Sequence, residues 1–185
     1  VESSLYWASE YKLDGFRYDL MGIIDVDTMN QVRVGVDKID NTFLIIGEGW
    51  QMGNKLAPSQ KANQVNAFKM PRIAHFNDGI RDGLKGDVFK PLENGWASGR
   101  NSLKVQVMEG ITGETASGTK IRGSWGPLNP DQSVSYVEAH DNLTLFDKLV
   151  VSMPNSTSAE RKRVFALASS TAILAQGVPF IHAGQ

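Results

Sequence analysis

The 185-residue chain contains no cysteine. That excludes a disulfide framework and any thiolate metal site, and leaves the cellular compartment open. Charge of either sign in excess is also missing: 19 Lys and Arg against 20 Asp and Glu give a net −1. Nothing therefore points to nucleic acid or another polyanion as a partner. No apolar run approaches the roughly 20 residues of a membrane helix, and no signal peptide is visible. Internal repeats and low-complexity tracts are absent. What is present is ordinary for a globular domain: 41% hydrophobic and 21% charged residues. The length suffices for one domain with a real core. The chain starts at Val1 rather than Met and is expected to be a piece of a longer polypeptide.

Hydrophobic periodicity places the elements. Ser3–Tyr11 reads as a short helix, Gly15–Leu20 as a strand, and Asp27–Ile39 as a helix with Met29, Val32, Val36 and Ile39 on one face. Asp25 or Asp27 is its candidate N-cap. Thr42–Trp50, Arg72–Asp78, Ser133–Asn142 and Val178–Gly184 read as further strands. Leu103, Val107 and Ile111 predict a helix at spacing four. Thr157 and Glu160 form a capping box opening a long helix through Leu174, with Gly177 as its stop. Gly113–Gln132 reads as a long loop, and the spaced glycines of Asn77–Gly86 as turns. Alternating helices and strands imply a parallel α/β sheet, either doubly wound or a (β/α)8 barrel.

One stretch breaks the apolar pattern. "GFRYDLMG" (Gly15–Gly22) looks like core strand but carries Arg17 and Asp19 two residues apart, hence on one face. Polar residues recur at the C-terminal end of every predicted strand. They are Arg17 and Asp19, then Glu48, then Asn77 and Asp78, then Glu138, His140 and Asp141, and finally His182. In both α/β architectures that edge holds the active site. A lone Arg-x-Asp is usually a structural ion pair, but repeated charge at successive strand ends is a repeated burial cost. Three carboxylates, Asp19, Glu48 and Asp141, would face one cleft. Paired carboxylates suit glycosidic cleavage, one ionised against the anomeric carbon and one protonated toward the leaving oxygen. Arg17 favours the anion of Asp19. Glu48 has no basic neighbour in sequence, which is compatible with a protonated acid. His75, His140 and His182 show no metal-ligand spacing.

"DGFRYDLMG", "IIGEGW" and "YVEAHDN" resemble three ordered motifs of the α-amylase superfamily of retaining α-glycosidases. Within it, "LYWASEYKLDGFRYDLMGIIDVDTMNQV", "MPRIAHFNDGIRDGLKG", "SYVEAHDNLTLFDKL" and "GVPFIHAGQ" are most similar to type I pullulanases, bacterial debranching enzymes that cut α-1,6 links. The resemblance implies a partial (β/α)8 TIM barrel over residues 1–185, from the helix before strand four through strand eight. The superfamily's first motif and the upstream aromatic motif would precede Val1. It implies Asp19 as nucleophile, Glu48 as general acid/base and Asp141 as transition-state stabiliser. Arg17 and His140 would hold substrate or support the nucleophile. Apart from the resemblance, Trp50 lies two residues past Glu48, on its side of the chain if the strand continues, and reads equally as a substrate-binding subsite wall or as packing. The implied partner is an α-glucan, together with the rest of the barrel and flanking domains. No cofactor is called for, and a calcium site is left open. Location is left between secreted, cell-surface and cytoplasmic. The fragment alone is expected to be inactive.

Two other readings stay open: an α-1,4-acting amylase or transglycosylase of the same superfamily, and a non-catalytic glucan-binding remnant. Trp96 and Trp125 are candidates for subsite walls or for packing, and Trp7 for core. Phe16, Ile45 and Phe180 read as packing. Asn142-Leu-Thr and Asn155-Ser-Thr match the glycosylation pattern, the first falling in the expected cleft.

Overall fold

The computed structural model describes residues 1–53, 55–115 and 125–185. Five parallel strands, β1 (Gly15–Tyr18), β2 (Leu44–Gly47), β3 (Ala74–Phe76), β4 (Ser133–Ser135) and β5 (Val178–Pro179), pair in chain order. A doubly wound sheet reverses its strand order part-way. Here the order runs straight through, and the sheet curls into a half-barrel. Around it lie α1 (Glu2–Glu10), α2 (Val26–Asp37), α3 (Asp78–Lys85), α4 (Lys104–Ile111), α5 (Leu145–Ser152) and α6 (Ser158–Leu174).

Side-chain alternation sorts the strands into two faces. Phe16 and Tyr18 of β1 and Ile45 of β2 turn outward onto α1 and α2, joining Met29, Val32 and Val36. Ile46, Ala74, Phe76, Val134 and Tyr136 form a second cluster with Trp50 and Phe180. Phe76, Tyr136 and Phe180 meet edge-on there, with centroids 5.0 to 6.3 Å apart. A third cluster, with Ile80, Leu84, Val107, Leu145, Leu149 and Ala168, joins α3 through α6.

Helix starts follow their caps. Asp25 accepts from the Thr28 N–H at 2.7 Å, and its carboxyl is held below the usual range by the bonds from Thr28. The Thr157–Glu160 box forms, with Glu160 Oε2 accepting from the Thr157 N–H at 2.7 Å.

Several expectations need correction. Asn77–Gly86 is helical rather than a set of turns. Asn77 caps α3 by accepting from the Ile80 N–H at 3.2 Å. Its glycines exist for close approach: a Cβ on Gly79 would meet Glu114 Oε1 at 2.6 Å, and one on Gly83 would meet Val107 Cγ2 at 3.0 Å. Helix α5 was not legible either. The segment read as strand Ser133–Asn142 pairs in the sheet over Ser133–Ser135, and the Ser135 carbonyl accepts the Phe180 N–H at 2.9 Å where it leaves. Between β2 and β3 the described residues form 3-10 turns, including Gln64–Lys69, where alternation calls for a helix. Trp7 is 45% exposed, since only Ala8 of α1 is buried. It stacks instead on Tyr11, with centroids 4.3 Å apart. Within the expected loop Gly113–Gln132, residues 116–124 lie outside the described residues.

Strands β1 and β5 each have one neighbour among the described residues. Leu174, Phe89 and Leu92 are 83%, 81% and 76% exposed. Open edges and apolar surface favour association over a unique monomer. Residues 1–185 expressed alone are expected to elute as aggregates and to unfold without a sharp transition. A monomeric peak with cooperative melting would contradict this.

Candidate active site

The pairing register decides which side chains meet. Arg17 lies opposite Ile46 and Tyr18 opposite Gly47. Extending the ladder by one residue sets Asp19 against Glu48. Arg17, one pleat earlier on the same face, reaches both. Its NH1 donates to Asp19 Oδ1, and its NH2 donates to Glu48 Oε1 at 2.6 Å. The guanidinium stands over the Phe76 ring, 5.5 Å from the centroid. The basic neighbour that Glu48 lacks in sequence is therefore supplied in space from the adjacent strand. Glu48 is buried, and its Oε2 accepts from the Leu20 N–H at 2.9 Å. Leu20 itself adopts a left-handed conformation, φ 48°.

His140 connects the third carboxylate. Its Nε2 is 3.6 Å from Asp19 Oδ1 and 3.6 Å from Asp141 Oδ1, and its Nδ1 is 3.4 Å from Arg17 NH2. Asp19 and Asp141 are exposed while Glu48 is enclosed. The sequence-predicted residues are thus one linked group: Glu48, Arg17, Asp19, His140 and Asp141.

Arg17, Glu48 and Asp141 line a cleft of about 520 Å³ together with Trp50, Arg81 and Tyr136. Trp50 packs against the aromatic cluster, and the Arg81 guanidinium lies 5.7 Å from its ring centroid. Arg81 also donates to Tyr136 Oη at 2.9 Å, and burial raises the Tyr136 hydroxyl. Arg81, Gln64 and Asp78 line the cleft without having been singled out for chemistry beyond a strand-end position for Asp78. A signal existed for Arg81: it is three residues past Asp78, one turn along on the same helix face. Asn142 does fall in the cleft, with φ 64°.

Other candidates go elsewhere. Trp125 is buried, its ring 5.8 Å from that of His75. Trp96 packs against the α3–α6 cluster. Both are packing residues here. His75 is fully buried, and burial lowers its imidazole to about 3, so it is neutral. His182 Nδ1 is 3.9 Å from the buried Glu138.

Asp19, Glu48 and His140 are the one group of potential metal ligands among the described residues, with a ligand atom from each within 4.8 Å of the others. Arg17 pairs with both carboxylates of this group and offsets one of their two charges.

No family model matches the chain. The pullulanase of Bacillus subtilis strain 168 is 42% identical over 181 residues, covering 98% of this chain and 25% of that protein. This chain is homologous to pullulanases. The chloroplastic pullulanase 1 of Arabidopsis thaliana is 31% identical, covering 97% of this chain and 24% of that protein. Among solved structures, an Anoxybacillus pullulanase complexed with maltotetraose superposes with TM-score 0.91 at 44% identity, over 99% of this chain and 26% of that one. The Paenibacillus barengoltzii pullulanase in complex with maltohexaose and α-cyclodextrin gives 0.93 at 45% identity, over 99% and 28%. The chain thus spans about a quarter of the length of the pullulanases it matches.

The turns that bring β1 and β2 together leave no room at Gly22. Its N–H donates to the Glu48 carbonyl at 2.8 Å, and a Cβ there would lie 2.0 Å from the Trp50 carbonyl oxygen. Gly22→Ala is expected to destabilise the protein by about 1–3 kcal/mol through overpacking. Denaturant titration of the full-length protein containing this chain reads that loss; an unchanged midpoint would show the turn to be more yielding.

Proposed function

We propose that this chain forms strands four to eight of a (β/α)8 catalytic domain in a retaining glycoside hydrolase that cleaves α-1,6 links of pullulan- or starch-type glucans. The observation that carries the reading is the pair Asp19 and Glu48, with carboxyl oxygens within 4.8 Å on neighbouring strand ends. Retaining enzymes hold their two carboxyl groups about 5–5.5 Å apart, and inverting enzymes clearly farther. Homology to pullulanases, and the maltooligosaccharides bound by the solved ones, support an α-glucan as the ligand.

In this reading Asp19 attacks the anomeric carbon and forms a glycosyl ester. Arg17 neutralises it and fixes its direction. Glu48 protonates the leaving oxygen and then, as a carboxylate, activates the water that opens the ester. Asp141 faces the positive charge that develops at the anomeric carbon, oriented with His140. Trp50 offers an indole face to a sugar ring.

The roles separate by mutation in the full-length protein. Asp19→Asn is expected to remove nearly all turnover while glucan binding survives, because an amide cannot form the ester. Glu48→Gln is expected to slow both steps, and a glucoside with an activated leaving group to rescue the first alone. Rescue in Asp19→Asn instead would exchange the two assignments.

Bond choice and stereochemistry have their own readouts. Pullulan is expected to yield maltotriose, released first in the α configuration by an NMR time course. Panose as product favours the α-1,4-acting alternative, and a β first product would rule out retention.

A further inference from the structure

Helix α3 ends at the wall of the cleft in a buried charge that the catalytic reading leaves unused. Lys85 is 1% exposed, and its Nζ donates to the Leu143 carbonyl at 3.1 Å. Leu143 lies two residues past Asp141, on the turn that leads from β4 to α5. That turn is closed at its base by the buried Glu138, whose Oε2 accepts the N–H of Leu145 at the start of α5. Thr144 caps α5 by accepting from the Asp147 N–H at 3.2 Å. Between those ties Asn142 is in the left-handed region at φ 64°, a conformation that an L-residue holds only where its surroundings enforce it. His140 and Asp141 are themselves exposed; His140 meets Arg17 at 3.4 Å and Asp19 at 3.6 Å, and Asp141 meets His140 at 3.6 Å. Their placement therefore depends on the turn's backbone.

We propose that Lys85 is a positioning residue for Asp141: its buried ammonium ties down the Leu143 carbonyl and so fixes the turn presenting His140 and Asp141 to the cleft. This deepens the glycosidase reading and rests on it. A buried ammonium persists only where partners compensate its lost hydration. Glu138, across the turn, and Asp82, on α3 itself, favour the charge; Arg81 on α3 and Lys148 on α5 oppose it. Burial wins, and Lys85 is lowered to about 8 from 10.5. Below about 8 the tie is a charged donor. Above it, a neutral amine holds the carbonyl more weakly.

The sign of the stability change is opposite to that of the activity change. Between about 8 and 10.5 the unfolded chain binds the proton that the folded chain has lost, so this group makes folding more favourable as pH rises. A loss of turnover in that window without a loss of stability separates positioning from unfolding.

The test uses the full-length protein containing this chain, with pullulan as substrate. In the parent, kcat is expected to fall through an apparent pKa near 8, with KM changing less than about twofold. Lys85→Met is expected to lower kcat at pH 7 by about tenfold or more, the scale of a displaced catalytic group, and to abolish the alkaline limb. Lys85→Arg, which stays charged, is expected to restore most of kcat and carry the limb to higher pH. Parental kcat and a parental alkaline limb in Lys85→Met would overturn the inference. Amide exchange in the unsubstituted protein needs neither variant nor turnover. Selective loss of protection at Leu143–Leu145 between pH 7 and 9, corrected for intrinsic exchange, supports the tie; protection independent of pH overturns it. A parent that leaves pullulan intact refutes the glycosidase reading, and exchange then decides the tie by itself.

Discussion

Everything at the candidate site depends on where one guanidinium can reach. Among the described residues Arg17 is the one cation that touches both Asp19 and Glu48, and it does so because the β1–β2 register puts it one pleat before that pair. Two carboxylates on neighbouring strand ends repel, and an arginine forked between them turns the repulsion into a shared ion pair. A lysine could not serve both acceptors with fixed geometry. The fork is steadied from below by Phe76, which is held in turn by Tyr136 and Phe180. The inner aromatic cluster is thus both core and the support on which the charged group stands.

This arrangement explains why a strand that otherwise reads as core carries two charges. Phe16 and Tyr18 face α1 and α2, while Arg17 and Asp19 face the inside of the curl. The period of two was enough to place them, and strand-end position was enough to place Glu48, whereas His140 and Asp141 lie five and six residues past the end of β4, on the turn to α5. Those residues act through backbone placement, which local pattern encodes. What sequence could not give was contact across strands. The basic neighbour of Glu48 is 31 residues away. Trp125 resembled a loop tryptophan until its burial beside His75 was visible. Helix α3 reads as turns in sequence because its glycines are turn residues in type, and the close approach of Val107 and Glu114 that they accommodate comes from elsewhere in the chain. Strand β4 likewise ends at Ser135, well short of the β-branched and aromatic run that suggests it.

Helix α3 also shows how charge is distributed around the cleft. Asp82 and Lys85 are buried and Arg81 nearly so, a density of charge that a helix serving only as packing would not carry. Each charge has a task that repays its desolvation. Arg81 bonds Asp82 and Tyr136, and Lys85 holds the Leu143 carbonyl. On α5, Lys148 makes the equivalent bond to the Asp87 carbonyl at 2.9 Å. Two buried lysines thus fasten two different loops to the helical layer by their backbone, leaving the side chains of those loops free to face the cleft.

Burial is uneven among the three carboxylates, and that unevenness sets what the site needs to work. Glu48 is enclosed, whereas Asp19 and Asp141 are open to water on one side. A pair of unit charges 4 Å apart interacts by about 1 kcal/mol in water and about 4 kcal/mol at the dielectric of a partly enclosed site. With water at Asp19, the Arg17 fork gives direction but little of the electrostatic stabilisation on which transition-state binding depends. Arg17 and the two carboxylates it holds lie within these 185 residues, but a wall that would exclude water from Asp19 and Asp141 is not among the described ones. Proteins four times as long align with this chain end to end. In the proposed barrel, further βα units would close against the open edge of β1, beside Asp19. The same closure would satisfy an edge strand and dry a nucleophile, so folding and catalysis would be limited by one event.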